Sequence, residues 1–417
     1  MLYSVRMSDR LKRVLLIVGF VVFAAAVAAL IWFVFFRPVT TTPPPTTTPP
    51  AGTGSLPSAG SAEPGQTGGE QPGTIGLPSA ETVPGAIVSP EAAEAQTSLL
   101  RDGVTQGVSG STDGAGARYY NPDDGKFYRV SSDGRTTTLS EQSFPDVSGV
   151  TWGQSTDQAI LEFPDGNKIH YDFRTQTQST LPKHWEDFSF AGDDRQVVAK
   201  SVAVSPDARY LIVSDPNGNN PQAIEPLGQN ANKTFPVWTP NNQIIAYAEV
   251  GDPQGLNSQQ IILVGKNHEN FRALEVEGRG FMPLWSPDGK TLLYSVWNST
   301  SDYRPELWVS GGDPDTINKN RTKLDVMTWA NKCAWASATT LYCAVPDSLG
   351  RGAGLEPELF TNTPDGFYRI DLATGSKTYI GRPEGGASVR SPVVTDDGRH
   401  ILFTDARDGR LYDFSIR

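Results

Sequence analysis

The chain has 417 residues and a formal net charge of -11, with 46 Asp and Glu against 35 Lys and Arg. This length suits one large domain or two ordinary ones. With only four His and two Cys, the composition excludes a disulfide-rich scaffold and a histidine-rich metal-binding protein, and the acidic balance argues against nucleic acid as a partner.

The first predicted element is a membrane-spanning helix. An uncharged apolar run extends from Val14 to Phe36, which is long enough to cross a bilayer with some tilt. The alternative is a cleaved signal peptide, because small residues at 24–29 suit a peptidase, but the run continues past them, which favours a retained anchor. Four basic residues precede the run and only Arg37 follows it closely, so residues 1–13 are predicted to be cytoplasmic and the remainder extracytoplasmic.

The next predicted element, residues 38–94, is a linker rich in Pro, Thr, Gly and Ser. It contains no aromatic residue, and no Lys or Arg occurs between Arg37 and Arg101. Such a stretch buries too little apolar surface to offset the entropy of ordering it. Without the five basic residues and one acidic residue of the first 37, the remaining chain has 30 Lys and Arg against 45 Asp and Glu, a formal charge of -15. This charge also argues against anionic lipid as a partner of the exported part.

Beyond residue 94 one hairpin pattern recurs. In "PLWSPDGKTLLYSV", residues 283–296, a Trp precedes a Ser-Pro-Asp-Gly turn and an apolar strand follows it. The pattern returns at spacings between 38 and 59 residues, and two more strands follow each copy. Periods of this size, built from strands, are typical of β-propellers. The sequence therefore predicts an all-β, seven-bladed propeller of four-stranded antiparallel blades over residues 95–417. The hairpin turns begin near Ser111, Gly153, Ala191, Thr239, Ser286, Ala336 and Thr395.

The last repeat predicts how the ring closes. It has only three strands before the chain stops at Arg417, so residues 95–103, "AQTSLLRDG", are predicted to supply its outer strand. A helix in "SPEAAEAQTSLL" is the competing interpretation, because Ser89 and Pro90 resemble an N-cap and first helical position. Both hold if the helix ends before Gln96. The Trp residues that precede the turns are predicted to pack in the blade cores: Trp152, Trp238, Trp285 and Trp335.

The repeats carry a family resemblance. "SPDGKTLLYS", "SPDARYLIVS" and "TDDGRHILF" resemble the TolB-like repeats of bacterial WD-repeat-like propellers, over about residues 104–417. This resemblance implies a periplasmic or cell-surface interaction module without chemistry of its own. TolB itself resembles a six-bladed propeller with an additional N-terminal α/β domain, and no such domain is visible here. No partner-binding residue is carried over from the family.

Motifs for catalysis are not found in the sequence. The Gly-x-Ser-x-Gly nucleophile elbow of anchored propeller peptidases does not occur. The four His are scattered without metal-ligand spacing. We therefore predict no enzyme activity, no cofactor and no metal site.

The predicted binding surface lies on one face of the ring. Strands in each blade are labelled A to D from the axis outward; the D-to-A and B-to-C connections then share one face, which we call the loop face, and the A-to-B and C-to-D turns share the other, the turn face. Long B-to-C connections at 250–258, 297–304 and 346–365 fall on three successive blades. The D-to-A connections of the same face carry aromatic and basic residues, which are typical of recognition surfaces, although Trp185 and Trp329 alternatively cap blade cores. The candidate binding residues are His184, Trp185, Arg279, Phe281, Trp297, Tyr303, Trp329 and Lys332.

The two cysteines are predicted to form a disulfide. Placing the sixth A-to-B turn at 337–339 sets Cys333 opposite Cys343 on antiparallel strands, within or just below the usual disulfide range. The competing interpretation is a pair of buried free thiols. An oxidising, extracytoplasmic location favours the bond.

Together these observations predict a single-pass, membrane-anchored extracytoplasmic propeller that acts as an interaction module of the cell envelope. Its partner is predicted to be an envelope protein or glycan, with the membrane bound through Val14 to Phe36 and no nucleic acid bound. The alternative is a propeller hydrolase or lyase that acts on cell-surface glycans.

Overall fold

A computed structural model describes residues 18–20, 22–23, 27, 82–93, 95–269 and 271–416. Strands dominate the chain from residue 82 onward. In chain order the strands are β1 (Ile87–Val88), β2 (Gln96–Arg101), β3 (Gln106–Gly110), β4 (Gly116–Asn121), β5 (Lys126–Ser131), β6 (Thr136–Thr138), β7 (Gly149–Trp152), β8 (Gln158–Glu162), β9 (Lys168–Asp172), β10 (Thr177–Leu181), β11 (Trp185–Phe190), β12 (Val197–Ser201), β13 (Tyr210–Ser214), β14 (Gln222–Pro226), β15 (Thr234–Pro236), β16 (Ile244–Ala248), β17 (Gln259–Gly265), β18 (Leu274–Val276), β19 (Arg279–Trp285), β20 (Thr291–Trp297), β21 (Glu306–Gly311), β22 (Thr322–Lys323), β23 (Cys333–Trp335), β24 (Thr340–Pro346), β25 (Asp365–Asp371), β26 (Ser376–Gly381), β27 (Val389–Val394), β28 (His400–Asp405) and β29 (Leu411–Ser415).

Short 3-10 helices occupy some of the connections, at Pro90–Ala93, Pro206–Ala208, Gly228–Lys233, Ser299–Ser301, Ala330–Lys332, Pro357–Phe360 and Glu384–Gly386. The strands form seven sheets, which confirms the predicted seven-bladed propeller of four-stranded antiparallel blades. Blades 1 to 6 each take four consecutive strands, beginning with β3, β7, β11, β15, β19 and β23 respectively. Blade 7 has the order β2-β29-β28-β27.

The ring closes as the sequence predicted. Strand β2 pairs antiparallel with β29, with Gln96 opposite Ser415, so a segment from before blade 1 completes blade 7. The 3-10 helix at Pro90–Ala93 ends before this strand, so both interpretations of the segment hold in part. Because β2 comes from before blade 1 and the other three strands of blade 7 come from the end of the chain, the outer edge of β29 is paired and not exposed.

A fifth strand on blade 6 was not predicted. Strand β1, inside the stretch predicted as linker, pairs parallel with β26 through Ile87 and Thr378. Upstream of it, the carbonyl of Thr82 accepts a hydrogen bond from the Met327 amide at 2.9 Å, and Val83 is buried against blades 5 and 6. A strand of two residues has no measurable alternation of polar and apolar positions, so this pairing leaves no strand signal in the sequence.

Turn chemistry explains why the hairpin motif repeats. In blade 5 the Ser286 hydroxyl donates to Asp288 at 2.7 Å, and the same carboxylate accepts from the Lys290 amide at 3.1 Å. Gly289 adopts the left-handed φ of +70° that the turn requires. The hydroxyl-to-carboxylate bond recurs at 2.6 Å in blades 1 and 7, between Ser111 and Asp113 and between Thr395 and Asp397.

The Trp residues before the turns pack in blade cores, as predicted. Trp152, Trp238 and Trp285 are buried, and Trp335 is partly buried against the core shared by blades 5 and 6. That core joins side chains of neighbouring sheets, such as Leu307 from blade 5. Each sheet thus buries its faces against the next blade rather than within itself.

Inner strands alternate between two geometries around the ring. Strands β3, β11, β19 and β27, in the odd-numbered blades, carry a register shift, whereas β7, β15 and β23 pair with their B strands without one. A residue with positive φ lies inside each shift: Gly107, Asp187, Gly280 and Ser391. Bulges of this kind turn the strand and re-aim its side chains.

The predicted disulfide is present in the hairpin of blade 6. Cys333 lies opposite Cys343 on β23 and β24, and a bond joins their sulfur atoms. The closed loop is short, with a sequence separation of 10 residues, so it adds at most about 3 kcal/mol and acts on this hairpin alone.

Most of the predicted anchor lies outside the described residues. Residues 18–20, 22–23 and 27 are helical, and no helix among the described residues is long and apolar enough to cross a bilayer. The predicted cytoplasmic tail and residues 38–81 of the predicted linker also fall outside the described part of the chain.

The turn carboxylates predict a specific response to acid. The hydroxyl donors Ser111, Ser286 and Thr395 lower the pKa of Asp113, Asp288 and Asp397 below 3.8. Their contribution to stability is therefore present above about pH 3.8 and is lost as the pH falls through the folded-state values. Replacing all three aspartates by Asn should flatten the loss of stability between about pH 4 and pH 2. Urea midpoints measured across this range test it.

The matched control replaces two exposed aspartates outside these turns, Asp207 and Asp252, by Asn. The control should retain the parent's acid response. An acid response in the triple variant as steep as the parent's would show that the turn carboxylates are not its source.

Candidate functional site

Exposed apolar side chains mark one face of the ring. Among described residues 102–416, the large hydrophobic side chains that are exposed all lie in B-to-C or D-to-A connections. Val204 and Leu359 are the most exposed, at 98% and 76%. Four of the six such side chains fall in two connections, 249–258 and 347–364. Exposed apolar groups that cluster indicate an interaction surface, and their positions favour the loop face over the turn face. The full set is Val104, Val204, Val250, Leu256, Leu355 and Leu359.

The turn face is occupied by bonds between blades. The Asp194 carboxylate of blade 3 accepts the amides of Gln154, Ser155 and Thr156 in the blade 2 turn, at 2.6 to 2.9 Å. Arg118 of blade 1 is buried and donates to the Thr156 carbonyl at 2.8 Å. These contacts hold neighbouring blades in register, so the polar groups of this face serve the scaffold.

Three loops on the loop face contact one another directly. They are the B-to-C connections 249–258, 298–305 and 347–364 of blades 4, 5 and 6, which we call the three-loop sector. Ser299 donates from its amide and hydroxyl to the Asn257 side chain at 3.1 and 2.8 Å. The Gly354 amide donates to the Tyr303 carbonyl at 2.7 Å. The loops therefore form one continuous surface.

Trp297 is packed inside this sector by two glycines. A Cβ built at Gly280 would lie 2.4 Å from the indole nitrogen, and one built at Gly354 would lie 2.5 Å from the ring. Tyr303 approaches the indole edge-on, with ring centroids 6.0 Å apart. Close approach of backbone on two sides fixes the ring, so Trp297 is a structural centre of the sector.

Trp329 forms the wall of a cavity beside the sector. Its indole is buried against Leu349, Ala353 and Phe360 of the blade 6 loop. The adjoining cavity has a volume of about 440 Å³ and opens near the start of β27. Its lining combines apolar and charged residues, including Met282, Trp329, Lys332, Phe360, Glu358 and Arg390.

A buried ion pair lies beneath the cavity. The Lys332 ammonium contacts both carboxylate oxygens of Asp365 at 2.8 and 2.7 Å, and Asp365 is fully buried. Burial raises the pKa of Asp365, and the Lys332 charge opposes that rise. Asp365 also accepts the Val389 amide at 2.6 Å, so this pair fixes the connection into blade 7.

A second buried carboxylate holds the same connection. Asp405 accepts the Ser388 amide at 3.2 Å and a two-pronged contact from Arg407. Burial is the largest single influence and raises the pKa of Asp405, but the hydrogen bonds and charge of Arg407 together with the Ser388 amide outweigh it and leave the pKa lowered. Both acids are therefore engaged by cations and amides of the protein itself.

The other predicted binding residues are His184, Trp185, Phe281 and Arg279, and they do not form one surface. His184 is exposed on blade 3, outside the three-loop sector, and the adjacent Trp185 is buried in a blade core, as its alternative interpretation had it. Phe281 is buried in the core of blades 4 and 5. Arg279 donates to the Gly255 carbonyl and so ties β19 to the sector.

Several sector residues were missed by sequence reasoning. Asp365 was placed only as a loop boundary, because nothing in the sequence tells a buried acid from an exposed one. Leu355 and Leu359 were included in the long loop but not singled out. The pattern "GLEPELF" was the available signal, since two leucines in a Gly- and Pro-rich loop have no strand or helix to pack within.

No group of three or more His, Cys, Asp or Glu in the described part of the chain is placed to hold a metal ion.

Comparison with known proteins identifies the scaffold alone. No protein-family model and no curated protein sequence matches the chain. An oligogalacturonate lyase solved with manganese is similar over 78% of this chain and 91% of its own, at 15% identity and a TM-score of 0.52. The Vibrio parahaemolyticus oligogalacturonate lyase is similar over 77% and 93%, at 14% identity and 0.54. The Cps50 (Swd1) β-propeller domain of Myceliophteria thermophila is similar over 77% and 100%, at 11% identity and 0.51. At such identities the likeness shows a propeller fold and nothing about activity.

The buried pair gives a stability prediction. Changing Asp365 to Asn leaves the Lys332 ammonium buried without its counter-charge, which should lower the free energy of unfolding by about 3–5 kcal/mol. Adding Lys332→Met to that variant removes the uncompensated charge and should restore much of the loss. Guanidinium unfolding of both variants measures the difference. A double variant no more stable than Asp365→Asn would contradict the assignment.

Proposed function

We propose that this protein is a single-pass, membrane-anchored extracytoplasmic propeller that binds an envelope protein or glycan through its loop face. The observation that carries the binding proposal is the asymmetry between the faces: among described residues 102–416, the exposed large apolar side chains lie on the loop face and none lies in a turn of the turn face, where bonds join neighbouring blades. A rigid ring that presents one adaptable face is suited to recognition. The uncharged run from Val14 to Phe36 and its basic flank support the anchor and the orientation.

Binding without catalysis agrees with the use of the buried acids. Asp365 is held by Lys332 and Asp405 by Arg407, and each also accepts a backbone amide. Carboxylates held by these partners stabilise the backbone around the cavity, which is a structural role. The alternative, a hydrolase or lyase acting on surface glycans, shares its scaffold with the oligogalacturonate lyases, and that likeness extends to the fold alone.

Site-directed crosslinking tests the binding face. A photoreactive amino acid placed at Leu359 or Leu256, in the full-length chain within its own membrane, should give discrete crosslinked species after irradiation. Matched probes at Thr112 and Asn241, on the turn face, should give none. Crosslinks from the turn-face probes alone, or from neither face, would overturn the proposed function.

Protease accessibility tests the orientation. Protease added to intact cells should cut within residues 38–81 and release a propeller fragment, because the basic flank keeps residues 1–13 in the cytoplasm. An epitope fused to the N-terminus should survive unless the cells are permeabilised. Loss of the epitope with an intact propeller would establish the reverse orientation.

A further inference from the structure

The blade 6 loop presents two leucines to solvent. Leu355 and Leu359 are exposed at 51% and 76%. Leu359 belongs to the 3-10 helix at Pro357–Phe360, and Leu355 precedes that helix by two positions. Two large side chains held this far from the core have no role in folding that would offset their contact with water.

The loop that carries these leucines is held in place. Its buried side chains, Leu349 and Ala353, pack on Trp329 together with Phe360. The Gly352 amide donates to the Asp302 carbonyl at 2.8 Å, which ties the loop to blade 5. The leucines are therefore presented by a preorganised loop, and binding to it costs little ordering entropy.

Uncompensated acids alternate with the leucines. Glu356 and Glu358 are exposed, and no described Lys, Arg or His lies within ion-pair distance of either carboxylate. The nearest basic position in the loop, Arg351, faces Asp302 at 3.9 Å instead. Lys332 and Arg390 share a cavity lining with Glu358, but the three loops 249–258, 298–305 and 347–364 together carry six Asp and Glu against two Arg. The sector therefore has a formal charge of -4 and favours a cationic partner over an anionic one.

The two tryptophans of this surface are not free to serve as platforms for sugar rings. The Trp297 ring lies between Gly280 and Gly354, and the Trp329 ring is covered by the loop itself. Exposed leucines between acids instead suit an apolar side chain with basic neighbours, as in an amphipathic peptide segment.

We propose that the three-loop sector binds a polypeptide segment in which apolar residues are flanked by Lys or Arg. This inference rests on the proposed binding function and names the chemistry of its partner. The leucines supply the contact area, and Glu356 and Glu358 supply the preference for a basic segment over an acidic one.

Two synthetic peptides test the proposal. Both are 18-residue amphipathic helices with the same leucine face; one has lysine on its polar face and the other has glutamate. Binding to the full-length chain in phosphatidylcholine nanodiscs is measured by fluorescence anisotropy, with empty nanodiscs subtracted. The lysine peptide should bind and weaken several-fold between low and physiological salt. The glutamate peptide should not bind at concentrations up to about 1 mM, the range in which a contact of about 4 kcal/mol is measurable.

Variants assign the two contributions. Leu355→Ser with Leu359→Ser should weaken binding of the lysine peptide by about tenfold or more, because these side chains carry the buried contact. Glu356→Gln with Glu358→Gln should weaken it less and reduce its salt dependence. The matched control, Asp133→Asn with Asp193→Asn on the turn face, should change neither.

Each remaining outcome has one meaning. No binding of the lysine peptide, equal binding of both peptides, or unchanged binding by the leucine variant would overturn the basic-segment proposal. If crosslinking at Leu359 succeeds while the lysine peptide fails, the binding function stands and this partner chemistry falls. If crosslinking maps to the turn face, the proposed function itself fails whatever the peptides do.

Discussion

The structure depends on burial that no blade can achieve alone. Each sheet has two apolar faces, and both are covered only when a neighbour stacks on each side. The core that joins Leu307 of blade 5 to Leu341 of blade 6 is one such contact. A ring satisfies this requirement for every blade, provided that its last joint is as firm as the others. The β2–β29 ladder provides that joint by completing blade 7 with a segment that precedes blade 1.

Closure also separates the two faces by task. The A-to-B turns of the turn face are short, and polar groups there bond to a neighbouring blade, as Asp194 does with three amides of blade 2. The loops of the loop face do not carry these bonds between blades, so they differ in length and composition. The Lys332–Asp365 pair serves both the scaffold and the binding surface. It is a buried ion pair that fixes the start of blade 7, and Lys332 also lines the cavity of the candidate site.

Local chemistry was readable from the sequence, and long-range juxtaposition was not. The Ser-x-Asp-Gly turns and the Cys333–Cys343 register follow from patterns within one hairpin, because each depends on residues a few positions apart. The blade number follows from counting how often that hairpin recurs along the chain. By contrast, Asp365 meets Lys332 across 33 positions, and Trp297 fits only because Gly354 comes from another blade. Trp185 illustrates the limit, since an aromatic beside a loop reads equally as a binding residue or as a core residue until its neighbours are known.

The alternation of inner strands has a consequence for symmetry. Bulged and regular A strands exchange around the ring, but a period of two cannot close on seven units. The mismatch falls between blades 7 and 1, where two bulged strands become neighbours and a Cβ built at Gly110 would lie 3.5 Å from Val393. One of the seven joints is therefore unlike the rest, and it is the joint at which the chain ends meet. The odd number of blades is what creates this joint: a ring of six or eight blades could alternate strictly and would have no pair of bulged A strands side by side.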